Sequence, residues 1–158
     1  MTVAVRVAAA GAGGAADRAF VIDLGRRSVM SSVGSLRPAN EAKAREAFDR
    51  LWAIVQDQAH LLLIAEGGGT RIGFLLLLEN LPDEVTLLPG AFVAYMAVEA
   101  AVRGRGVGTA LLEAAEDEAR RRRVPYIALM VSEENVAARR LYERCGLRTE
   151  RRLLCKPL

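Results

Sequence analysis

The chain has 158 residues, of which 52% are hydrophobic, so it can build a packed globular core and is not expected to be disordered. Its net charge of +3, from 22 basic and 19 acidic residues, does not require a nucleic-acid partner. No apolar run approaches the roughly 20 residues of a membrane helix, so a soluble protein with no membrane partner is expected.

Apolar periodicity and turn residues divide the chain into ten predicted segments, in the order β-α-α-β-β-β-α-β-α-β. Their ranges are Thr2–Ala8, Asp17–Ser31, Asn40–Gln56, His60–Glu66, Arg71–Glu79, Ala91–Val98, Gly106–Arg123, Val124–Val131, Asn135–Cys145 and Leu147–Leu158, the last holding one or two strands. Hairpins mixed with βαβ crossovers indicate an α/β fold with one mixed sheet flanked by helices. No linker or repeat interrupts residues 1–158, which are predicted to form a single domain.

In the first half of the chain, turn and cap residues fix the expected boundaries. Asp17 and Asn40 are predicted helix N-caps, and Gly67–Thr70 a hairpin turn. Gly11–Gly14 is interpreted as a simple turn, because it lacks the Gly-Lys-Ser/Thr ending of a phosphate loop. Met1–Ala16 lacks the leucine-rich centre of a signal peptide, so a cytoplasmic location is expected.

The most informative stretch joins the third central strand to the helix that follows it. Gly104, Gly106 and Gly108 let the backbone turn tightly and approach a ligand closely. The first amides of the helix have no internal partner and lie at its positive end, which favours a phosphate. Arg103 and Arg105 add positive charge. The pattern Arg-x-x-Gly-x-Gly matches neither a P-loop, which needs lysine, nor a dinucleotide fold, which needs glycine where Thr109 stands.

The helix after this turn ends in a basic run, Arg120–Arg123. Glu116 with Arg120 and Asp117 with Arg121 are predicted i,i+4 pairs. The run is interpreted first as a feature of the helix C-terminus. Contact with an adenosine 3′-phosphate or with nucleic acid is the alternative.

A later helix carries a second group of aligned residues. Asn135, Ala138 and Tyr142 are spaced by three and four residues, so they share one helix face. Gly146 is predicted to follow the C-cap of this helix. A buried structural tyrosine is the alternative interpretation of Tyr142.

These two motifs, in this order and separation, resemble the GCN5-related N-acetyltransferase (GNAT) superfamily. The signature is Arg103-x-x-Gly106-x-Gly108 between strand and helix, then Asn135-x-x-Ala138-x-x-Leu141-Tyr142-Glu143-x-x-Gly146. The resemblance covers about residues 91–147, and the predicted element order extends it over nearly the whole chain. It implies a GNAT-like fold, acetyl-CoA as donor and a primary amine of a small molecule or peptide as acceptor. A homodimer is a common assembly in this family.

The resemblance also implies roles for individual residues. Backbone amides of Arg103–Gly108 cradle the pyrophosphate of CoA, the backbone of Ala97 and Val98 pairs with the pantetheine arm, and Tyr142 protonates the leaving thiolate. The adjacent strand, Ile127–Val131, splays away to make room for the thioester. The residues expected to bind the donor are Ala97, Val98, Arg103, Gly104, Arg105, Gly106, Val107, Gly108, Thr109, Asn135 and Ala138.

A base must remove a proton from the amine, because alkyl amines are mostly protonated near neutral pH. Some family members that act on ribosomal proteins place a glutamate twelve residues before the tyrosine, but Met130 stands there. Glu99 is the preferred base candidate, and Glu133 and Glu134 are the others. Glu79, Asp83 and Glu84 are candidates for attracting a cationic acceptor. A solvated surface carboxylate is the alternative for all six.

No metal is expected, because His60 is the only histidine and Cys145 and Cys155 lack metal-site spacing. Two other functions remain open. A non-catalytic acyl-CoA sensor would fit the absence of an obvious base, and a nucleic-acid module would use Arg120–Arg123 with Arg148–Arg152. The loops expected to form the acceptor pocket, Ser31–Ala39 and Leu81–Gly90, carry no pattern that identifies the acceptor.

Overall fold

The computed structural model describes residues 2–8 and 13–158 of the chain. Its strands and helices are β1 (Val3–Val7), α1 (Ala15–Ser28), α2 (Glu41–Gln56), β2 (His60–Gly67), β3 (Thr70–Pro82), β4 (Pro89–Val98), α3 (Val107–Arg121), β5 (Ile127–Leu129) and α4 (Val136–Arg144). Short 3-10 turns at Val29–Ser32 and Ala100–Val102 follow α1 and β4. Of the predicted turn over residues 11–14, Gly11 and Ala12 lie outside the described residues.

The five strands form one mixed sheet in the order β1-β2-β3-β4-β5. The first four are antiparallel neighbours, and β5 pairs in parallel with β4. Gly68 and Gly69 turn the β2–β3 hairpin with φ values of 59° and 76°, a region that glycine enters without steric cost. The predicted α/β class with a mixed sheet and flanking helices is confirmed.

Each face of the sheet carries its own apolar core. Successive strand residues face opposite sides, so the unbroken apolar runs of β2 and β3 supply both cores. One core joins Leu61, Leu63, Leu75 and Leu77 to Leu111, Leu112 and Ala115 of α3. The other joins Leu62, Ile64, Phe74 and Leu76 to Val21 and Leu24 of α1 and to Phe48 and Val55 of α2. Within the described residues, no helix is both long and apolar enough to cross a bilayer.

The two predicted N-caps have different outcomes. Asn40 caps α2 as expected, since its side chain accepts a hydrogen bond from the Lys43 amide at 2.9 Å. The prediction for Asp17 is wrong, because α1 starts two residues earlier, after Gly14. Asp17 is instead buried and accepts hydrogen bonds from Arg6 at 2.7 and 3.1 Å and from Arg71 at 2.6 Å. It therefore ties α1 to β1 and β3.

Three predicted ranges are corrected by the strand pairing. The loop expected over Leu81–Gly90 is shorter, because Leu81 pairs with Gly90 and Pro82 with Pro89. The strand expected over Val124–Val131 is only Ile127–Leu129, where β4 is close enough to pair. The strand expected over Leu147–Leu158 is absent, since its charged stretch leaves little apolar surface to bury and Leu153 and Leu154 are 81% and 88% exposed.

Candidate functional site

The turn between β4 and α3 is open on one side. Gly104 and Gly106 have φ values of 75° and 83°, which any residue with a Cβ would adopt only with strain. A Cβ added at either position would meet nothing within 4 Å. A residue with a Cβ would therefore strain the backbone at these two positions. The space beside them is open, so a ligand can reach the backbone of the turn.

The first turn of α3 presents free amides beside this open space. Gly106 is the N-cap and provides no side-chain cap, and the first helical hydrogen bond runs from the Ala110 amide to the Gly106 carbonyl at 3.0 Å. The amides of Val107, Gly108 and Thr109 precede that bond and have no acceptor within the helix. Together with the positive end of the helix dipole, they form an anion-binding site.

The two arginines of the motif are exposed beside these amides. The Arg103 side chain donates from Nε to the Val98 carbonyl at 3.2 Å, which holds it against the end of β4. Both arginines lie within three residues of the N-cap Gly106, where their positive charges add to the attraction of the helix N-terminus for phosphate.

Gly108 has a structural role that the sequence did not reveal. A Cβ at this position would lie 2.8 Å from Cδ2 of Leu141 in α4, closer than real Cβ contacts permit. A side chain at position 108 would therefore have to displace the Leu141 side chain of α4. The two sequence motifs are joined at this contact.

Beside this turn, β4 and β5 separate. Their pairing covers only Ala91–Ile127, Phe92–Ala128 and Val93–Leu129. A register shift against β3 follows at once, because Leu77 pairs with Val93 and Leu76 with Tyr95. From Tyr95 to Val98, β4 pairs only with β3 among the described residues, and we call the space beside this stretch the gap. The backbone of Ala97 and Val98 thus borders the gap, as the predicted pantetheine site requires.

The N-terminus of α4 lies on the other side of the gap. Asn135 caps the helix, as its Oδ1 accepts a hydrogen bond from the Ala138 amide at 3.2 Å. Its Nδ2 donates to the Ser31 carbonyl at 3.1 Å. Both polar ends of this side chain therefore have protein partners. Nδ2 carries a second hydrogen, so Asn135 can donate to another group without releasing Ser31.

Tyr142 is fixed in the last turn of α4. The Leu147 amide donates to the Tyr142 carbonyl at 3.0 Å, and Gly146 follows the C-cap with a φ of 86°, as predicted. The ring is half-buried against the core on the α3 face. Burial raises the pKa of the Tyr142 phenol, and the nearby Tyr95 phenol raises it further. Tyr142 therefore keeps its proton at neutral pH, as a general acid must.

Glu99, the preferred base candidate, follows the last residue of β4 and holds an ion pair. Arg27 of α1 donates to its two oxygens at 2.8 and 3.3 Å. Arg27 also bonds Asp23 at 2.8 and 3.0 Å. The carboxylate of Glu99 is thus in the right region, but it must share or leave Arg27 in order to accept a proton.

The other base candidates also have partners. Glu133 pairs with Arg139 at 3.1 Å. Glu134 accepts hydrogen bonds from the Ser35 amide at 3.1 Å to each oxygen and from the Ser35 hydroxyl at 2.5 Å. These bonds lower the pKa of Glu134, with the hydroxyl as the larger cause. Met130 is 85% exposed and offers no base.

The carboxylates near the β3–β4 connection are not brought to the gap. Glu79 pairs with Arg122 at 3.0 Å, and Arg151 pairs with Asp83 at 2.7 Å and with Glu84 at 3.5 Å. They lie toward the start of β4. The turn and free amides of Arg103–Thr109, which we call the cradle, follow the end of that strand, roughly 30 Å away along it.

The basic run at the end of α3 is held by ion pairs. Arg120 pairs with Glu116 at 2.7 Å, as predicted, but also with Asp117, whereas Arg121 pairs with Glu118 instead of Asp117. The run lies about 22 Å from the start of α3, because the helix has 15 residues. Within the described part of the chain, no group of three histidine, cysteine or acidic residues could hold a metal.

Sequence reasoning missed the serines that border the gap. The buried Ser28 hydroxyl lies 3.2 Å from the Tyr95 hydroxyl, and Ser31 and Ser35 contact the start of α4. A serine-rich segment after a helix is a weak signal, because serine is common in ordinary loops.

Comparison with known proteins agrees with this geometry. The model of the acetyltransferase (GNAT) family matches residues 31–147. An uncharacterized protein, YxbD of Bacillus subtilis strain 168, is 34% identical over 56 residues, a match that spans only 35% of each chain.

Solved structures show the same fold over almost the full chain. A Pyrococcus furiosus protein provisionally described as an acetyl transferase has a TM-score of 0.80 at 23% identity, covering 99% of this chain and 100% of its own. A ribosomal-protein-alanine N-acetyltransferase from Brucella melitensis biovar Abortus 2308 has a TM-score of 0.68 at 22% identity over the whole of both chains. AAC(6')-Iy, solved with a CoA-containing bisubstrate analogue, has a TM-score of 0.64 at 16% identity, covering 100% and 99%.

Proposed function

The chain belongs to the acetyltransferase (GNAT) family, and from this membership we propose that it transfers an acetyl group from acetyl-CoA to a primary amine. One observation carries the proposal. The free amides at the start of α3 follow the end of β4, which pairs with β3 but not with β5, and Tyr142 of α4 packs against the core on the α3 face, near Tyr95. In this proposal a phosphate site, an open strand edge and a proton donor border one space. We propose residues 1–158 as one catalytic domain, acting in the cytoplasm where acetyl-CoA is available.

The donor would be held mainly by backbone groups. In this proposal the amides of Val107, Gly108 and Thr109, with those of the Arg103–Gly106 turn, bind the pyrophosphate. The open space at Gly104 and Gly106 fits such a ligand, because no side chain fills it. The pantetheine arm would lie along Ala97 and Val98 like an added strand, and Asn135 and Ala138 at the start of α4 would face it.

The chemical step is direct transfer. The amine nitrogen forms a bond to the thioester carbonyl carbon, and the bond from that carbon to sulfur breaks. The sulfur takes the proton of the Tyr142 hydroxyl, and the nitrogen loses a proton to a base. A backbone amide near Val98 would stabilise the negative charge that develops on the carbonyl oxygen.

Glu99 is the base that we propose, acting through a water molecule. It follows β4 directly, and its partner Arg27 has a second carboxylate in Asp23. Arg27 can therefore remain paired with Asp23 while Glu99 accepts a proton. Glu133 and Glu134 are less suitable, because both already have partners. Glu133 forms an ion pair with Arg139, and Glu134 accepts hydrogen bonds from Ser35.

The partners of the three base candidates favour one alternative, a non-catalytic acyl-CoA sensor. Glu99 and Glu133 are held in ion pairs, and Glu134 accepts hydrogen bonds from Ser35. A sensor would bind acetyl-CoA but acetylate no amine.

The acceptor is the least defined part of the proposal. Relatives in fold include proteins named for ribosomal-protein alanine and for aminoglycosides, both of which carry amines. We therefore propose a small-molecule or peptide amine. Nucleic acid is a poor partner, because Arg120, Arg121 and Arg122 are already paired with carboxylates. A homodimer fits the family and remains part of the proposal.

The test is a turnover assay with thiol release and product mass as readouts. Kanamycin, spermidine, lysine and a peptide that starts with alanine serve as acceptors. We expect at least one to gain an acetyl group, and Glu99→Gln to lower kcat/KM by about 100-fold with unchanged acetyl-CoA affinity. Asp23→Asn is the control, because it removes a carboxylate from Arg27 but leaves Glu99. Binding of acetyl-CoA without any acetylation would favour the sensor, and equal losses in both variants would reduce Glu99 to a structural partner of Arg27.

A further inference from the structure

The phenol of Tyr95 belongs to a short chain of hydrogen bonds that ends at the gap. Tyr95 stands where β4 has left β5, at the start of the stretch that borders the gap. Its oxygen lies 3.2 Å from the hydroxyl oxygen of the buried Ser28. The same Ser28 oxygen lies 2.7 Å from the Leu24 carbonyl and 3.2 Å from the Gly25 carbonyl. These contacts determine where each hydroxyl proton points.

The proton of Ser28 is committed to helix α1. A carbonyl oxygen can only accept, so the contacts with Leu24 and Gly25 use the one hydrogen of the Ser28 hydroxyl. Ser28 can then only accept from Tyr95, which makes Tyr95 the donor of their hydrogen bond. Burial raises the pKa of the Tyr95 phenol, although nearby serine hydroxyls and Arg103 oppose it, so this proton stays on Tyr95 at neutral pH.

The ring of Tyr95 is held in this orientation by aromatic packing. It lies 5.1 Å from the ring centroid of Phe48 and 6.0 Å from that of Phe74, and both phenylalanines are fully buried. Turning the phenol away would disturb this cluster and break the hydrogen bond to Ser28. The phenol oxygen is therefore fixed in place. Because its proton points to Ser28, it offers only lone pairs to any other group.

Tyr95 and Tyr142 approach each other from opposite faces of the sheet. Tyr95 packs against the α1–α2 core, and Tyr142 packs against the α3 core. Burial and the nearby Tyr95 phenol both raise the pKa of Tyr142, so the two phenols lie close together. In the proposed function the pantetheine arm runs back along β4 from the cradle, which brings the thioester to this stretch. A proton donor for the sulfur then lies on one face and a hydrogen-bond acceptor on the other.

We propose that the Tyr95 oxygen accepts a hydrogen bond from the attacking nitrogen of the acceptor, and that Ser28 is the positioning residue that holds the Tyr95 proton away from it. The inference rests on the proposed function. A neutral primary amine has two hydrogens on nitrogen: one leaves to the base once the bond to the carbonyl carbon forms, and the other remains in the amide product. The remaining hydrogen can be donated to Tyr95 throughout the transfer.

This arrangement selects primary over secondary amines. A neutral secondary amine has a single hydrogen on nitrogen, and the base must take it for the transfer to be completed. None is then left for Tyr95, and a site built to accept a hydrogen bond disfavours a substrate that cannot donate one. The selectivity belongs to the Tyr95 oxygen and should disappear with it.

The test compares each acceptor that the wild type acetylates with its N-methyl analogue, for example a peptide that starts with alanine and the same peptide starting with N-methylalanine. Tyr95→Phe keeps the ring and its packing but removes the oxygen. We expect kcat/KM to fall about tenfold for the primary amine and to change less than about twofold for the N-methyl analogue. The ratio of the two values should therefore fall about tenfold.

Ser28→Ala tests the direction of the proton. Without Ser28, the Tyr95 hydroxyl can rotate and donate to the lone pair of the nitrogen, which opposes attack, so the ratio should fall about fivefold. Ser32→Ala, at another serine hydroxyl near Tyr95, and Tyr126→Phe, at an exposed tyrosine before β5, are the matched controls. Both should keep the wild-type ratio. A fall in Ser32→Ala as large as that in Ser28→Ala would overturn the role of Ser28.

The outcomes distinguish this inference from the proposed function. With turnover in the wild type, an unchanged ratio in Tyr95→Phe, or equal losses for both amines, would overturn the contact between Tyr95 and the nitrogen while acetyl transfer still stands. No turnover by the wild type with any acceptor would overturn the proposed function and this role of Tyr95 together. Acetyl-CoA affinity should stay within about twofold of wild type in all four variants, since none of them changes the cradle.

Discussion

At the scale of single residues, Tyr142 is the chemical centre of the proposal. Its phenol is half-buried, lies near a second phenol and is positioned by a helix end that Gly146 closes. Loss of the proton would place a negative charge in this poorly solvated site. The pKa of Tyr142 is therefore raised above its usual value of 10, and the neutral, proton-donating form persists into alkaline solution.

Tyr142→Phe should lower kcat by about 100-fold, because it removes the proton that the leaving thiolate takes. Acetyl-CoA affinity should change little, since the ring and its packing remain. In the wild type, kcat should not fall until the pH exceeds about 10, because the acid form is lost only as pH rises through the raised pKa. Stopped-flow thiol release from about pH 6 to about pH 10.5 checks both expectations. An unchanged kcat in the variant would remove Tyr142 from the acid role.

The residues that sequence could identify are those with a strong local signal. Gly106 and Gly146 have backbone roles that their own motifs predict, and the structure confirms these local roles. The capping role of Asn135 was not predicted. The reason for Gly108 was hidden, because its conflict with Leu141 exists only after two distant helices pack. The partners of Glu99 and Glu134 were hidden for the same cause: Arg27 is 72 residues away and Ser35 is 99 residues away along the chain.

At the scale of elements, ion pairs connect the first helix to the sheet. Asp17 is 6% exposed, and its carboxylate binds Arg6 on β1 and Arg71 on β3, while Arg6 also binds Glu66 on β2 at 2.9 Å. The hydrogen bond from Arg6, with help from Arg71, lowers the pKa of Asp17 to about 2 despite opposing desolvation. The charged form therefore stabilises the folded state.

Asp17→Asn should lower the free energy of unfolding at pH 7 by about 1–2 kcal/mol, allowing for the partial exposure of both arginines. A lowered carboxyl pKa gives stability that is complete above about pH 4 and is lost as the pH falls to about 2. The difference between wild type and variant should therefore shrink across this window. Urea unfolding from about pH 2 to about pH 7 measures this difference in the free energy of unfolding. The control is Asp49→Asn, which removes an exposed ion pair with Arg26 and should lower the free energy of unfolding by less. A constant difference at all pH values would contradict the assignment.

Element prediction succeeded where the apolar period was strong and failed where pairing decided the outcome. The apolar runs Leu61–Ala65 and Phe74–Leu78 indicate buried strands by themselves. The extent of β5 depends on how far β4 stays within reach, and no local pattern encodes that distance. Apolar and polar residues alternate only weakly over Leu147–Leu158, so the sequence does not predict a neighbouring strand for it, and no strand forms there.

At the scale of the whole molecule, the two cores set the position of the site. The α1–α2 core holds Tyr95 and Val33 on one side of β4, and the α3 core holds Tyr142 and the start of α3 on the other. Because both are fixed to the same strand, the end of β4 is the point where donor and acceptor can meet. The central claim is that a CoA pyrophosphate occupies the start of α3 at this point.

The most direct test is calorimetric titration of acetyl-CoA into the wild type, Thr109→Glu and Thr109→Gln. Thr109 is the third residue of α3, where a glutamate favours the helix, so the charge is added to the cradle without loss of folding. Substitution of Gly108 would be less clear, because any side chain there meets Leu141. Micromolar binding by the wild type, retained in Thr109→Gln and weakened by about 100-fold in Thr109→Glu, is the predicted result. Equal binding by the two variants, or no binding at millimolar acetyl-CoA, would contradict the account.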